Sequence, residues 1–141
     1  MSCMEQGRLL GIDYGRARIG IAVSDALGIS TKPLGFVPRK SDAAAAKIVA
    51  ALVKREEAVA VIIGLPVHAN GDEGENVQWV RDFCRHLKPL IKVDIHEVDE
   101  RHSSQEAEAA LRAEKKWPAK PGDIDAKSAA ILLRRYLDGE R

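Results

Sequence analysis

Apolar residues recur with two different periods along the chain, and the change of period separates strands from helices. Two short runs with strand composition come first, RLLGID and RIGIAVSD, and the turn YGRA lies between them. A third run, STKPLGFVPRK, contains Pro33, which favours an edge strand or a bulge at its beginning. The first three strands are therefore predicted to form an antiparallel meander.

From Ser41 onward the apolar positions take helical spacing. The stretch SDAAAAKIVAALVKREE starts with Ser or Asp, which cap helices, and AVAVIIGLP after it has the continuous apolar composition of a strand covered on both faces. Helical spacing returns before and after a last strand in IKVDIHEVDE, and the linker WPAKPGD separates the two final helices. The apolar face predicted for the first helix consists of Ala45, Ile48, Val49, Leu52 and Val53.

This order of elements, β-β-β-α-β-α-β-α-α, indicates an α/β fold. Strands that alternate with helices in the second half require right-handed parallel crossovers, whereas the first three strands pair antiparallel. We therefore expect a mixed sheet flanked by helices, in three layers. A length of 141 residues without internal repeats predicts a single domain over residues 1–141, with residues 1–7 as a flexible tail.

Composition narrows the range of functions only slightly. Hydrophobic residues make up 45% and charged residues 30% of the chain, and the net charge of +1 gives no global basic field for nucleic acid. Cys3 and Cys84 form no C-x-x-C pair, which indicates free thiols rather than a zinc site. Because the sequence has neither an apolar run of about 20 residues nor the core of a signal peptide, we expect a soluble, cytoplasmic protein without a membrane partner.

Three acidic residues stand where predicted strands end. Asp13 ends the first strand, and Asp99 and Glu100 end the last one. Ligands of open α/β sheets bind outside the carboxyl ends of parallel strands, so these acids are candidates for a shared site. A lone aspartate at a strand end more often closes a turn, and the candidate site therefore depends on the acids converging.

A fourth acid, Asp125, lies on the core-facing side of the last helix. Counting back in helical steps from the apolar face of that helix reaches Asp125, where an unpaired carboxylate is costly. Asp125 therefore caps the start of the helix or lines a polar site, and Asp123 is the alternative cap. The apolar face consists of Ala129, Leu132, Leu133, Tyr136 and Leu137.

Several carboxylates brought together repel one another unless a cation lies between them. Oxygen ligands of this kind suit Mg²⁺ or Mn²⁺ rather than zinc. Such ions activate water and stabilise the leaving oxygen of a phosphodiester, so hydrolysis of nucleic acid is the hypothesis that the acids favour.

Four motifs follow one another over nearly the whole chain: GIDYGRARIGIAVSD, VIIGLPVHANGDEG, VDERHSS and IDAKSAAILLRRYL. Together they resemble the YqgF family, also called RuvX, of the RNase H-like superfamily. Its members are described as pre-16S rRNA nucleases and, in older descriptions, as Holliday junction resolvases. The resemblance implies an RNase H-like fold with a five-stranded mixed sheet and an acidic metal site for Mg²⁺ or Mn²⁺.

Matched motif by motif, the resemblance implies that Asp13, Glu100 and Asp125 are the catalytic acids and the metal ligands. Asp99 lies beside Glu100, and Glu100 is favoured as the ligand. Because side chains alternate along a strand, these two point to opposite faces, and the sequence leaves open which of them faces the site.

Two positions depart from the family pattern. The family usually has DERLTT where this chain has DERHSS, so Ser103 and Ser104 keep the hydroxyls and His102 replaces an apolar residue. We expect a surface histidine there, with a role in proton transfer as the alternative. RuvC-type resolvases carry a second acid one turn after the helix aspartate, where this chain has Ser128, which weakens the resolvase interpretation in detail.

Basic and hydroxyl side chains near the acids are candidates for phosphate contacts. Arg16 and Arg18 lie in the first hairpin, Arg101 adjoins the acids, and Ser103 and Ser104 follow it. Contacts of this kind make affinity for nucleic acid fall with salt.

Trp117 near the last linker, with Lys115, Lys116 and Lys120 around it, is a candidate for stacking on an unpaired base. A partly packed tryptophan among solvated lysines is the simpler interpretation. The loop GLPVHANGDEGEN lacks G-K-[ST], which excludes a P-loop, and we expect it to form a wall of the site.

The first functional hypothesis is a divalent-metal-dependent nuclease acting in 5′-end processing of pre-16S rRNA. The alternative is a Holliday junction resolvase with the same site, acting on branched DNA. An actin-like sugar kinase, suggested by GIDYG, needs two such domains, and a binding module without catalysis conflicts with the retention of all three acids. RNA is favoured as the partner, and a monomer and a homodimer both remain open.

Overall fold

The computed structural model describes residues 7–66, 75–100 and 103–139. Within these residues the elements follow one another in the predicted order, with a short 3₁₀ helix, Lys88–Leu90, before the last strand. The strands are β1 (Arg8–Asp13), β2 (Arg18–Ser24), β3 (Thr31–Pro38), β4 (Ala58–Leu65) and β5 (Asp94–Asp99). The helices are α1 (Asp42–Arg55), α2 (Glu75–Leu87), α3 (Ser103–Ala113) and α4 (Asp123–Leu137).

One mixed sheet of five strands, in the order β3-β2-β1-β4-β5, forms the centre of the fold. The pairs β1–β2 and β2–β3 are antiparallel, and the pairs β1–β4 and β4–β5 are parallel. The predicted meander followed by parallel crossovers is thereby confirmed. The carboxyl ends of β1, β4 and β5 meet at one edge of the sheet, where the predicted acids lie.

Helices cover both faces of the sheet, which gives the three expected layers. One face packs on α1 and α2, and its core includes Leu10 and Ile12 of β1. The other face packs on α4, and its core includes Leu9 of the same strand. Side chains alternate along a strand, so Asp13 lies on the same face of β1 as Leu9, beneath α4.

The first turn of α4 lies very close to the sheet at Gly20 of β2. A Cβ atom at this position would overlap the carbonyl oxygen of Asp125. Gly20 is the register partner of Asp13 in the β1–β2 pair. The absence of a side chain at Gly20 therefore lets the start of α4 settle over the end of β1, which brings Asp125 towards Asp13.

In the first half of the chain the predicted helix cap and the irregular edge strand are confirmed, and the predicted apolar face of α1 contains one error. Ser41 caps α1 by accepting a hydrogen bond from the Ala44 N–H at 3.1 Å, and a register irregularity in β2–β3 lies opposite Pro33 on the edge strand β3. The predicted face of α1 is wrong at Ile48, which is 47% exposed, while Ala46 is fully buried. The helix packs on the sheet through its small residues, so the side chain of Ile48 lies at the exposed side of α1.

Several predictions concern residues outside the described ranges. They are the free thiol of Cys3, the phosphate contact of Arg101, the surface position of His102 and the loop after Pro66 as a wall of the site. Within the described ranges Cys84 is a free, half-buried thiol. Within the same ranges no helix is both long enough and apolar enough to cross a membrane.

Candidate active site

Asp13 and Glu100 come together at the carboxyl edge of the sheet. Glu100 follows β5 directly, and its N–H donates to the Leu65 carbonyl at 3.1 Å, so the alternation of β5 continues to this residue. Glu100 therefore shares a face with Val98, which packs in the α4 core, whereas Asp99 faces the side of Leu65, its register partner. The sequence did not decide which of the two acids faces α4. In the structure it is Glu100.

Gly64 of β4 makes this meeting possible, because β4 lies between β1 and β5 in the sheet. A Cβ atom at Gly64 would stand 2.7 Å from Glu100 Oε1 and 2.9 Å from Glu100 Cβ. The Glu100 side chain crosses over this glycine to reach a hydrogen bond with Asp13. This role of Gly64 was not predicted from the sequence, where its signal is a glycine near the end of an otherwise branched apolar strand.

Burial and mutual repulsion change the acidity of both carboxyl groups. Asp13 is 8% exposed, and desolvation together with the negative charge of Asp125 raises its pKa to about 7. Desolvation and the charge of Asp13 raise the pKa of Glu100 to about 9. The shared hydrogen bond lowers the pKa of Asp13 and raises that of Glu100, and without a cation the pair favours holding a proton over carrying two negative charges.

A hard divalent cation fits the chemistry of this pair. Oε1 of Glu100 is buried and receives no hydrogen bond from any donor among the described residues. A buried carboxyl oxygen without a hydrogen-bond partner is costly, and a cation bound between the two carboxylates would remove that cost. The ligands are all oxygen, which suits Mg²⁺ or Mn²⁺ and disfavours zinc.

Asp125 lies nearby, but its carboxylate points to Arg18. Arg18 Nε donates to Asp125 Oδ2 at 3.0 Å, with the two side chains 43% and 27% exposed. Across residues 7–66, 75–100 and 103–139, no group of three or more His, Cys, Asp or Glu side chains is assembled closely enough to hold a metal ion. Of the three predicted acids, Asp13 and Glu100 are therefore hydrogen-bonded to each other, and the charge of Asp125 acts on Asp13.

Neither aspartate at the start of α4 caps the helix. Gly122 occupies the capping position with a φ of 87°, and the helix begins at Asp123. Asp123 Oδ2 instead accepts a hydrogen bond from the Lys120 N–H at 2.8 Å and closes the preceding turn. Capping as the role of Asp125 or Asp123 is thus wrong, because the loop enters the helix through a left-handed glycine.

Arg18→Met is expected to raise the affinity for Mn²⁺ by about 5-fold, since it removes a nearby positive charge and releases the Asp125 carboxylate. Isothermal titration calorimetry measures this change. Arg8→Met is the matched control, because Arg8 pairs with Glu56 at 3.0 Å and begins β1, far from the acids. Unchanged or weaker Mn²⁺ affinity in Arg18→Met would show that the Asp125 carboxylate takes no part in binding the ion.

The predicted phosphate contact Arg16 lies on the α2 side of the site. Its guanidinium carbon is 4.5 Å from the centre of the Trp79 ring. Beside it, the Tyr14 hydroxyl donates to Asp42 Oδ1 at 2.6 Å, and Arg39 Nε donates to the same oxygen at 2.8 Å. This network joins the end of β1 to the start of α1. The network was not predicted from the sequence, because its members are far apart in the chain.

The predicted serines differ in accessibility. Ser103 is 1% exposed at the start of α3, and Ser104 is exposed. Ser128, where RuvC-type resolvases carry an acid, is fully buried, and its Oγ has no hydrogen-bond partner among the described residues.

Arg135 of α4 secures the end of β5. Its Nη1 donates to the Asp99 carbonyl at 3.1 Å, and its guanidinium also pairs with Glu106 of α3. The positive charge of Arg135 partly offsets the rise in the pKa of Glu100.

Curated relatives match over nearly the full length of this chain, and each is named "Putative pre-16S rRNA nuclease". The protein of Sulfurihydrogenibium sp. is 39% identical, over 93% of this chain and 90% of its own length. That of Anaeromyxobacter sp. is 37% identical, over 94% and 97%. That of Synechococcus elongatus is 36% identical, over 94% and 89%.

Solved structures of resolvases share the fold. RuvC of T. thermophilus, in complex with a Holliday junction substrate, matches with a TM-score of 0.59 and 15% identity, over 96% of this chain and 98% of RuvC. The Fowlpox virus resolvase, in complex with Holliday junction DNA, matches with a TM-score of 0.58 and 11% identity, over 93% and 97%. At these identities the likeness concerns the fold, which is RNase H-like as expected.

The family model for RuvX, described as Holliday junction resolvase, matches residues 7–139. Because this match and the curated relatives both span almost the whole sequence, the chain belongs to the RuvX family.

Proposed function

We propose that this protein is a divalent-metal-dependent nuclease that hydrolyses phosphodiester bonds, acting at the 5′ end of precursor 16S rRNA. The observation that carries the proposal is the buried pair Asp13–Glu100, with a carboxyl oxygen that receives no hydrogen bond from the described residues. The names of the curated relatives support the substrate. Such a substrate implies a cytoplasmic location, and one trimming site needs only a single-domain monomer.

Asp13, Glu100 and Asp125 are the proposed ligands of Mg²⁺ or Mn²⁺, with Asp99 on the opposite face of β5. An ion held there would supply an activated water and would stabilise the charge that develops on the phosphate. The ends of β1 and β5 would supply two ligands, and α4 would supply the third if Asp125 left Arg18. Arg18 is then free to pair with a phosphate of the substrate.

Phosphate contacts on either side of the acids position the nucleic-acid backbone. Arg16 lies on the α2 side and Arg18 on the α4 side of Asp13. We assign Arg101 and Ser104 to the same role from the sequence. Ser103, which the sequence also suggested, is 1% exposed and therefore too buried for a phosphate contact. Because these contacts read only phosphate, they hold RNA and DNA alike.

Holliday junction cleavage is the second candidate function, favoured by the description of the family model. It uses the same acids but needs two sites related by symmetry, so that two strands are cut in matched positions. A homodimer would then be the active form.

The two functions are separated by cleavage assays on a labelled single-stranded RNA with a precursor-like sequence and on a four-way DNA junction. Each substrate is incubated with Mn²⁺, with Mg²⁺ and with EDTA. We expect cleavage of the RNA that requires either metal and is lost in EDTA. Symmetric cuts in the junction, with intact RNA, would favour the resolvase instead. If both substrates remain intact with metal, the nuclease proposal is wrong.

A further inference from the structure

A groove leads away from the proposed catalytic centre along the linker between α3 and α4. It has a volume of about 490 Å³, within the range of small-molecule binding clefts, and it is open to solvent. The Arg18–Asp125 pair and Trp117 both line it. The linker residues from Pro118 to Gly122 line it as well.

Trp117 presents an aromatic surface inside this groove. Trp117 is 37% exposed. The guanidinium carbon of Arg112 lies 4.0 Å from the ring centre and supports the ring as a cation–π partner. The indole is therefore held in place while part of its surface stays open.

Two cations lie along the same groove. Lys120 is exposed on the linker, and its backbone is held by the hydrogen bond to Asp123 at 2.8 Å. Arg18 lies beside Asp125. An aromatic face with cations spaced along a groove is the arrangement by which proteins hold single-stranded nucleic acid, the base on the ring and the phosphates on the charges.

We propose that this groove is a subsite for one unpaired nucleotide next to the scissile phosphate, with its base stacked on Trp117 and its phosphate held by Lys120 and Arg18. The position relative to the scissile bond rests on the proposed nuclease function. A base within a duplex has both faces covered by its neighbours and cannot stack on Trp117. The groove thus selects single strands, or bases released from pairing, over continuous duplex.

The test measures binding without cleavage, by fluorescence anisotropy in EDTA. The probes are a labelled single-stranded RNA of about eight nucleotides and a fully paired RNA duplex that contains the same sequence. Trp117→Ala is expected to weaken binding of the single strand by about 10-fold and to leave duplex binding within about 2-fold. Trp117→Phe keeps an aromatic face and is expected to restore most of the affinity.

Leu90→Ala is the matched control, because Leu90 is 47% exposed in the 3₁₀ helix and does not line the groove. Equal binding of the single strand by Trp117→Ala and the unchanged protein would overturn the proposal. An equal loss for both probes would overturn it as well. Because no cleavage is needed, a protein that binds in this pattern but cuts neither substrate would contradict the nuclease function and leave the subsite standing.

Lys120→Ala gives a second, independent result. It is expected to weaken single-strand binding by about 3-fold and to reduce the salt dependence, since one phosphate contact is lost. Lys92→Ala, an exposed lysine beside the 3₁₀ helix, is its control. If Lys120→Ala and Lys92→Ala change binding equally, the phosphate contact assigned to Lys120 is wrong.

Discussion

Asp13→Asn is expected to lower the rate of cleavage by about 10³-fold, because it removes an anionic ligand from the metal site. The same change is expected to stabilise the metal-free protein against heat. Asp13 is a buried carboxylate beside Glu100, and an amide avoids the cost of that buried charge while it can donate to Glu100. In EDTA at about pH 8 the gain is on the order of 2 kcal/mol, or about 6 °C in Tm.

The stability gained by Asp13→Asn is expected to increase with pH. The pKa of Asp13 is raised from its ordinary value of 3.8 to about 7, so the folded protein loses stability as the pH rises through this interval. Asp13→Asn removes this loss of stability. The gain in Tm is therefore expected to be small near pH 3.8 and to reach its full size above about pH 7. Thermal unfolding in EDTA over that pH range measures the difference in Tm.

Asp94→Asn is the control for this variant, because Asp94 is exposed at the opposite end of β5. It is expected to leave both cleavage and Tm unchanged. Cleavage by Asp13→Asn at the normal rate would contradict the assignment of the acid. A fall in its metal-free Tm would contradict the argument that the paired carboxylates are strained without a cation.

Gly20→Ala is expected to have the second largest effect, a loss of about 2–3 kcal/mol in the free energy of unfolding and of about 10²-fold in cleavage. Its Cβ would overlap the Asp125 carbonyl, so the start of α4 must move away from the sheet at β2. This displaces Asp125 from Asp13. Chemical denaturation and single-turnover cleavage below the unfolding transition measure the two effects separately.

Gly139→Ala is the control, since Gly139 follows α4 and a Cβ there meets open space. Its φ of 94° makes alanine cost about 1 kcal/mol, without any change expected in cleavage. If Gly20→Ala cleaves as fast as Gly139→Ala when both are folded, the position of the first turn of α4 does not matter for catalysis.

Much of the fold follows from signals within each segment. The two periods of apolar residues predicted the order of strands and helices, and Pro33 predicted the irregular edge strand. These signals are local, because burial of one face of an element is recorded in the element's own sequence. The motifs that resemble the RuvX family, together with the rule that strand ends deliver ligands, singled out Asp13, Glu100 and Asp125.

The remaining features depend on contacts between distant segments. Whether Asp99 or Glu100 faces α4 is set by the register of β5 against β4, which the sequence of β5 alone does not contain. The passage of Glu100 over Gly64 joins two strands, and the Arg18–Asp125 pair joins residues far apart in the chain. Ile48 was misplaced for a similar reason, because its exposure depends on how closely α1 approaches the sheet.

The central claim is that Asp13 and Glu100, with Asp125 beside them, hold a divalent cation for phosphodiester hydrolysis. Anomalous scattering from a crystal of the protein soaked in Mn²⁺ tests it most directly, because it locates the ion without depending on activity. The account predicts a strong anomalous peak between the carboxylates of Asp13 and Glu100, with Asp125 turned away from Arg18. A well-ordered site with no peak there, and with the Arg18–Asp125 pair intact, would contradict it.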